Sequence, residues 1–215
     1  MEHFFALTFG PDEQAHQRRQ GSYGRYERSL SAAPVPDGMG AAEAEFLAHR
    51  DSFYLSSVGR NGWPYVQHRG GPPGFVKVLG PTRLAWAERT GNRQYITAGH
   101  LDNDDRVAMI AMDYPNRKRL KILGHARFDP DPDPETLDRE GIDGKLEGLM
   151  TVEVVAFDWN CPKLITPRFT ADEVRLFTEP LRERIQQLEA QLAAQQGCEG
   201  QARQSAADRN RGPMS

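Results

Sequence analysis

The chain has 215 residues, of which 38% are hydrophobic and 27% charged, the balance of a globular protein with one core and room for an appended helix. A formal net charge of −3 gives no global reason to expect nucleic acid, so any anion site has to be built locally. Only two cysteines, no apolar run of bilayer length and no signal-peptide pattern at the start argue against a disulfide scaffold or a membrane protein and for the cytoplasm.

Residues 12–30 are polar and helix-tolerant but interrupted at Gly21 and Gly24, which predicts a short helix and then a loop. Residues 31–40 carry Pro34, Pro36 and Gly38 and read as a connector. Residues 41–50 hold good helix formers, with Ala44 and Leu47 able to face a core. Residues 53–58 and 63–69 read as strands joined by a Gly59-Arg60-Asn61-Gly62 hairpin turn. The Gly70-Gly71-Pro72-Pro73-Gly74 run cannot continue a ladder, because its prolines lack donors. Strands follow at 75–79 and 83–87, then a short helix at 93–99 and strands at 106–112, 117–128 and 149–159. Asp129 to Pro134, with three prolines, is a loop. Short strands of this spacing with small helical insertions predict a mainly β fold, a closed or nearly closed barrel.

The remainder is helical. Thr170 and Glu173 form a capping box, and Pro180 is placed to start a second helix with Leu181, Ile185, Leu188 and Leu192 in one stripe. Two heptads are too few for a stable coiled coil. The organisation is therefore an N-terminal helical and loop segment (1–44), a barrel (45–170), C-terminal helices (171–196) and a disordered tail (197–215).

Three segments could carry chemistry. On a strand, Arg117, Arg119 and Lys121 point to one side and Leu120 and Ile122 to the other. Such a row of cations suits a bound anion or, equally, a solvated outer face. In Thr90-Gly91-Asn92-Arg93-Gln94-Tyr95, a glycine before a helix start and an arginine fork suit a phosphate, although Arg93 could instead pair with a carboxylate such as Glu88. The run from Gln67, His68 and Arg69 into Gly70 and Gly71 could press against a flat ligand, or be a structural turn. The histidines are scattered and no Cys-x-x-Cys exists, so no metal site is expected. Cys161, before Pro162, has no visible basic helper and reads as inert; no Gly-x-Ser-x-Gly elbow marks a nucleophile, and no catalytic residue is assigned.

Taken together these segments resemble the FMN-binding split barrel of the pyridoxamine 5'-phosphate oxidase superfamily. The likeness is carried in order by GWPYVQHRGGPPGF, TGNRQY, NDDRVAMIAMDYPNRKRLKILGHARF and FDWNCPKLITPRFT, over roughly residues 45–170, and extends to a Gln-x-x-x-Gly-Ser stretch at Gln17. It implies a split β-barrel with a C-terminal helical extension, FMN as the cofactor, although no motif here separates FMN from FAD or a deazaflavin, and a homodimer with the flavin at its interface. It further implies that Arg93 and Gln94, with Lys77 or the Gln67, His68, Arg69, Gly70 loop, hold phosphate and ribityl groups. Arg119 would approach the polar edge of the ring, and Trp159 and Arg168 would reach it from the partner. The implied activity is oxidoreduction of an unidentified small molecule; the other reading is a carrier or sensor without turnover. An Arg-x-His motif that serves the vitamin-B6 substrate in that family is missing, since no histidine follows His125.

Overall fold

Apolar residues at alternate positions turn seven segments into strands that share one core. They are β1 (Ser52–Val58), β2 (Pro64–Gly70), β3 (Lys77–Gly80), β4 (Arg83–Glu88), β5 (Arg106–Asp113), β6 (Lys118–Asp129) and β7 (Gly148–Trp159). The structure is a computed structural model in which residues 1–32, 37–133, 147–159 and 162–209 are described. Two units divide the chain, Met1–Pro167 and Arg168–Ser215.

The strands form one antiparallel sheet in the order β2-β1-β5-β6-β7-β4-β3. Phe53 of β1 and Trp86 of β4 sit four places apart in that order, yet their rings meet edge to face at 5.0 Å. Only a sheet rolled on itself permits this contact, so the fold is the mainly β split barrel that the sequence suggests. Phe53, Leu55, Leu84, Trp86, Leu120, Ile122 and Met150 are almost wholly buried within it. Each such side chain contributes roughly 1.5–3 kcal/mol of burial.

Two close approaches shape the barrel wall. Between Leu123 and Gly124 the β6–β7 register slips, leaving Val155 as an extra residue on β7. A Cβ on Gly124 would stand 2.5 Å from the Glu153 carbonyl oxygen, so glycine lets the two backbones meet there. The Val155 carbonyl accepts a hydrogen bond from the Glu2 amide at 2.8 Å, which docks the N-terminus on this wall.

The helices of the first unit are α1 (Phe4–Thr8), α2 (Pro11–Arg19), α3 (Tyr23–Ala32), α4 (Ala41–Ala48) and α5 (Ile96–Leu101). The N-terminal stretch is thus more helical than the expected short helix and loop. Gly21, at φ +73°, does break the chain, but Gly24 lies inside α3. On α4, Leu47 is buried as expected, Ala44 is only partly so, and Phe46 is buried beside Leu47. Connector residues 33–36 lie outside the described residues, as do Pro134 and Cys161.

Two further expectations are corrected. The helix expected over 93–99 begins only at Ile96, because Arg93 and Tyr95 take left-handed φ values of +56° and +50°. Arg117 also has a positive φ, +54°, and belongs to the turn before β6. It therefore does not share a strand face with Arg119 and Lys121.

In the second unit a single helix, α6 (Ala171–Arg209), runs through Pro180, where a second helix was expected to begin. Proline removes one donor and crowds one carbonyl, which bends a helix without always ending it. The same helix continues past 197, where the sequence suggests disorder; residues 210–215 lie outside the described residues. The capping box forms as expected: the Glu173 carboxylate accepts from the Thr170 amide at 2.7 Å, and the Thr170 hydroxyl accepts from the Glu173 amide at 3.1 Å.

Candidate functional site

Alternation along β2 sends Tyr65, Gln67 and Arg69 to one side and Val66 and His68 to the other. The first set faces a cavity of about 190 Å³ whose opposite wall is the β4–α5 connection, including Arg89, Gly91, Arg93 and Gln94. Phe128 at the end of β6 and Met150 near the start of β7 also line it. Three segments distant in sequence therefore converge, and four expected site residues (Gln67, Arg69, Arg93 and Gln94) share one cavity.

Several polar groups there have defined partners. Gln67 accepts from the Thr97 hydroxyl of α5 at 3.3 Å, tying the two walls together. Gln94 is pinned by Asn92, whose side-chain oxygen takes its backbone N–H at 3.2 Å and whose amide donates to its Oε1 at 3.1 Å. Arg93 donates to the Tyr95 hydroxyl at 3.2 Å and lies 3.3 Å from Glu147. That hydrogen bond, then the charge of Tyr95 and the Glu147 carboxylate, raise the Arg93 guanidinium above its ordinary pKa. The carboxylate partner is Glu147 and not Glu88.

Glu88 is engaged elsewhere. Its Oε1 accepts from the Trp86 indole at 2.8 Å and lies 3.0 Å from Arg69 Nε. The Arg69 Nε–H is buried and points off that oxygen, so it makes an ion pair but no aligned hydrogen bond. Among the described lining residues three guanidiniums (Arg69, Arg89 and Arg93) face two carboxylates (Glu88 and Glu147), leaving one positive charge in excess. Arg93 is 68% exposed, free to swing from Glu147 toward an incoming anion.

The other expected residues lie elsewhere. His68 is exposed on the outer side of β2, edge-on to Tyr54 at 5.5 Å, and Gly70 ends that strand. Lys77 on β3 pairs opposite Ala85 and does not line the cavity. Arg119 is the second residue of β6, nine positions before Phe128 and on the opposite face of the strand, and it does not line the cavity. Its Nε is buried with no hydrogen-bond partner among the described residues. Arg168 belongs to the second unit.

Trp159, at the end of β7, lines a second and larger cleft of about 770 Å³ beside α4. Its indole N–H donates to Glu43 at 2.6 Å and its ring meets Phe46 edge to face at 4.8 Å. Glu43 also takes the Gly40 amide at 2.8 Å, so one buried carboxylate caps α4 and orients the indole. Arg117 and Lys118 lie along the same cleft. Sequence reading missed Thr97, Glu147, Arg89 and Glu43. Only Glu43 had a visible signal, three residues after a helix-start glycine.

The cavity suits part of a phosphorylated ligand, not all of one. At about 190 Å³ it falls short of the roughly 300–1,000 Å³ of sites that enclose a drug-sized molecule. Arginines and a fixed amide match phosphate and polyol oxygens. The orphaned Arg119 donor, costing roughly 1–3 kcal/mol if nothing meets it, marks a second place where a group from outside the chain would fit. No helix among the described residues is long and apolar enough to cross a membrane.

Residues 39–139 match the family described as pyridoxamine 5'-phosphate oxidase. Among solved structures, HupZ of Group A Streptococcus is 10% identical, with 62% of this chain and 99% of that one covered at a TM-score of 0.46. An FMN-binding protein from Syntrophomonas wolfei is 14% identical (68% and 97% covered, TM-score 0.41). A protein related to general stress protein 26 from Clostridium acetobutylicum is also 14% identical (60% and 92%, TM-score 0.39). At those values no residue role passes from them to this chain. Among curated protein sequences none matches significantly. The segment from Met39 to the end of β6 and just beyond, a little under half of the chain, is thus what carries the likeness to the pyridoxamine 5'-phosphate oxidase family.

Proposed function

We propose that two copies of this chain bind FMN at their interface and pass electrons or hydride between the flavin and a small molecule. The observation that carries this reading is the convergence of Gln67, Arg69, Arg93 and Gln94 on one cavity with surplus positive charge. Arg93 and Gln94 would take the phosphate, while Gln67 and Arg69 would face the ribityl chain. The flavin supplies the redox chemistry when bound, and the protein sets its position and electrostatics.

A homodimer accounts for the two features a single chain leaves open. The cavity is too small for the whole cofactor, and Trp159 and Arg119 do not line it. In the dimer these two residues, together with Arg168, would be the partner's contribution, closing the cavity over the ring. A cation such as Arg119 at the polar edge of the ring would favour the negative charge that reduction places there.

The second reading is a flavin carrier or sensor without turnover. It is favoured by the absence of any histidine among the described lining residues and by the engagement of both carboxylates described there with arginines. Turnover assays with reduced nicotinamides and oxygen separate the two. Reduction of bound flavin at a rate above that of free flavin supports the enzyme, and equal rates support the carrier. Arg93→Ala tests the site itself: flavin retention falls while the barrel stays folded. Unchanged affinity removes Arg93 from the site.

A further inference from the structure

On α6, Val174, Leu181, Ile185, Leu188 and Leu192 are all between 47% and 63% exposed. Because the helix continues through Pro180, these residues fall into one heptad frame. Ala171, Thr178, Ile185 and Leu192 occupy its a positions, and Val174, Leu181 and Leu188 its d positions. The stripe is thus about three heptads long and not the two that begin at Leu181. It stops at Gln195, where the d position turns polar, and Pro180 falls at an outward c position. A long helix with an internal proline and an apolar stripe left exposed among the described residues is marginal in water, so the stripe calls for an occupant.

We propose that this occupant is the α6 helix of a second copy, paired in parallel as a two-stranded coiled coil. Charge and core composition choose it. In a parallel pair the g position of one helix meets the next e position of the other, which sets Arg184 against the Glu189 of the second copy, twice by symmetry. The remaining pairs bring no like charges together: Phe177 meets Arg182, and Gln191 meets Gln196. An antiparallel pair centred on the stripe would instead place Arg182 against its own copy. A β-branched Ile185 at a followed by Leu188 at d is the combination that favours two strands over three or four. Arg184 already donates to Gln187 at 3.3 Å, an exposed contact that a facing carboxylate readily displaces.

This pairing is independent of flavin binding and is tested without it. In the full chain with Cys161→Ser and Cys198→Ser, Leu188→Cys is oxidised mildly and the disulfide-linked dimer measured. Glu183→Cys, at an outermost f position, serves as the control. The expected result is a linked dimer for Leu188→Cys and little or none for Glu183→Cys. Adding Arg184→Glu removes most of the linked dimer, and adding Glu189→Arg to that restores it. Circular dichroism on each variant confirms that α6 remains helical. Absence of a linked dimer at 188, equal linkage at 183, or failure of the charge swap to restore it overturns the proposal. The first of these outcomes is also what an antiparallel pair or a different protein partner would give.

Discussion

Arg69 on β2 and Glu88 on β4 stand 3.0 Å apart, although their strands are first and sixth in the sheet order. Their ion pair spans the split in the barrel and forms the floor of the cavity. Both side chains are 16% exposed, which places the pair between surface and interior. Removing one partner leaves the other charge half-buried, a situation more costly than the pair itself is worth. Arg69→Met should lower unfolding stability by roughly 1–3 kcal/mol, with Glu88→Gln costing less because its amide still faces the Trp86 indole. Urea unfolding of the three proteins checks this; equal midpoints would show that the pair does not hold the split.

Arg93 is different, since its guanidinium is largely in water and its contacts with Tyr95 and Glu147 are at the surface. Arg93→Ala should leave the unfolding midpoint almost where it is. Binding of a phosphorylated flavin should weaken by about 10- to 100-fold, the value of one or two charge-assisted hydrogen bonds. Riboflavin, which has no phosphate, should lose far less affinity. A parallel loss for both ligands would move Arg93 away from the phosphate.

Gly124 is expected to tolerate no side chain. A Cβ there meets the Glu153 carbonyl oxygen at 2.5 Å and Val152 Cγ1 at 2.7 Å, and both belong to the paired strand. Gly124→Ala should cost roughly 1–3 kcal/mol through a forced backbone shift at the β6–β7 bulge. Thermal unfolding reads the loss, and a wild-type midpoint would mean that the bulge relaxes freely.

One acid has a pH signature. Hydrogen bonds from Arg106 hold the Asp104 carboxyl at about 2, below its ordinary 3.8. A carboxyl depressed in the folded state favours folding at neutral pH, and that contribution fades as pH falls from about 4 through about 2. Carboxyl-detected NMR titration should give Asp104 a midpoint near 2, and Arg106→Ala should return it to the ordinary range. An ordinary midpoint in the unsubstituted protein would contradict the pairing.

Much of the barrel was legible because its signals are local. Alternating apolar residues and an Asn-Gly turn place β1 and β2 within a residue of where they lie, and Thr170 with Glu173 marks the start of α6. What was not legible depends on the third dimension. The left-handed φ values of Arg93, Tyr95 and Arg117 shorten a helix and a strand whose sequences would allow extension. Grouping Gln67, His68, Arg69 and Gly70 as one contact surface ignored the pleat, which turns His68 to the opposite side from its neighbours. Glu147 approaches Arg93 from across the chain, and no spacing rule links residues so far apart. Arg119, near the start of β6 and outside the cavity, carries a buried donor with no partner among the described residues, a relation that no local sequence pattern displays.

The most direct test is the absorbance spectrum of the freshly purified protein, before and after addition of FMN and removal of the excess. The protein is expected to be yellow, with resolved flavin bands, and to release FMN, identified by mass, in a stoichiometric amount on denaturation. A colourless protein that stays colourless after incubation with FMN, FAD and a deazaflavin would contradict that expectation.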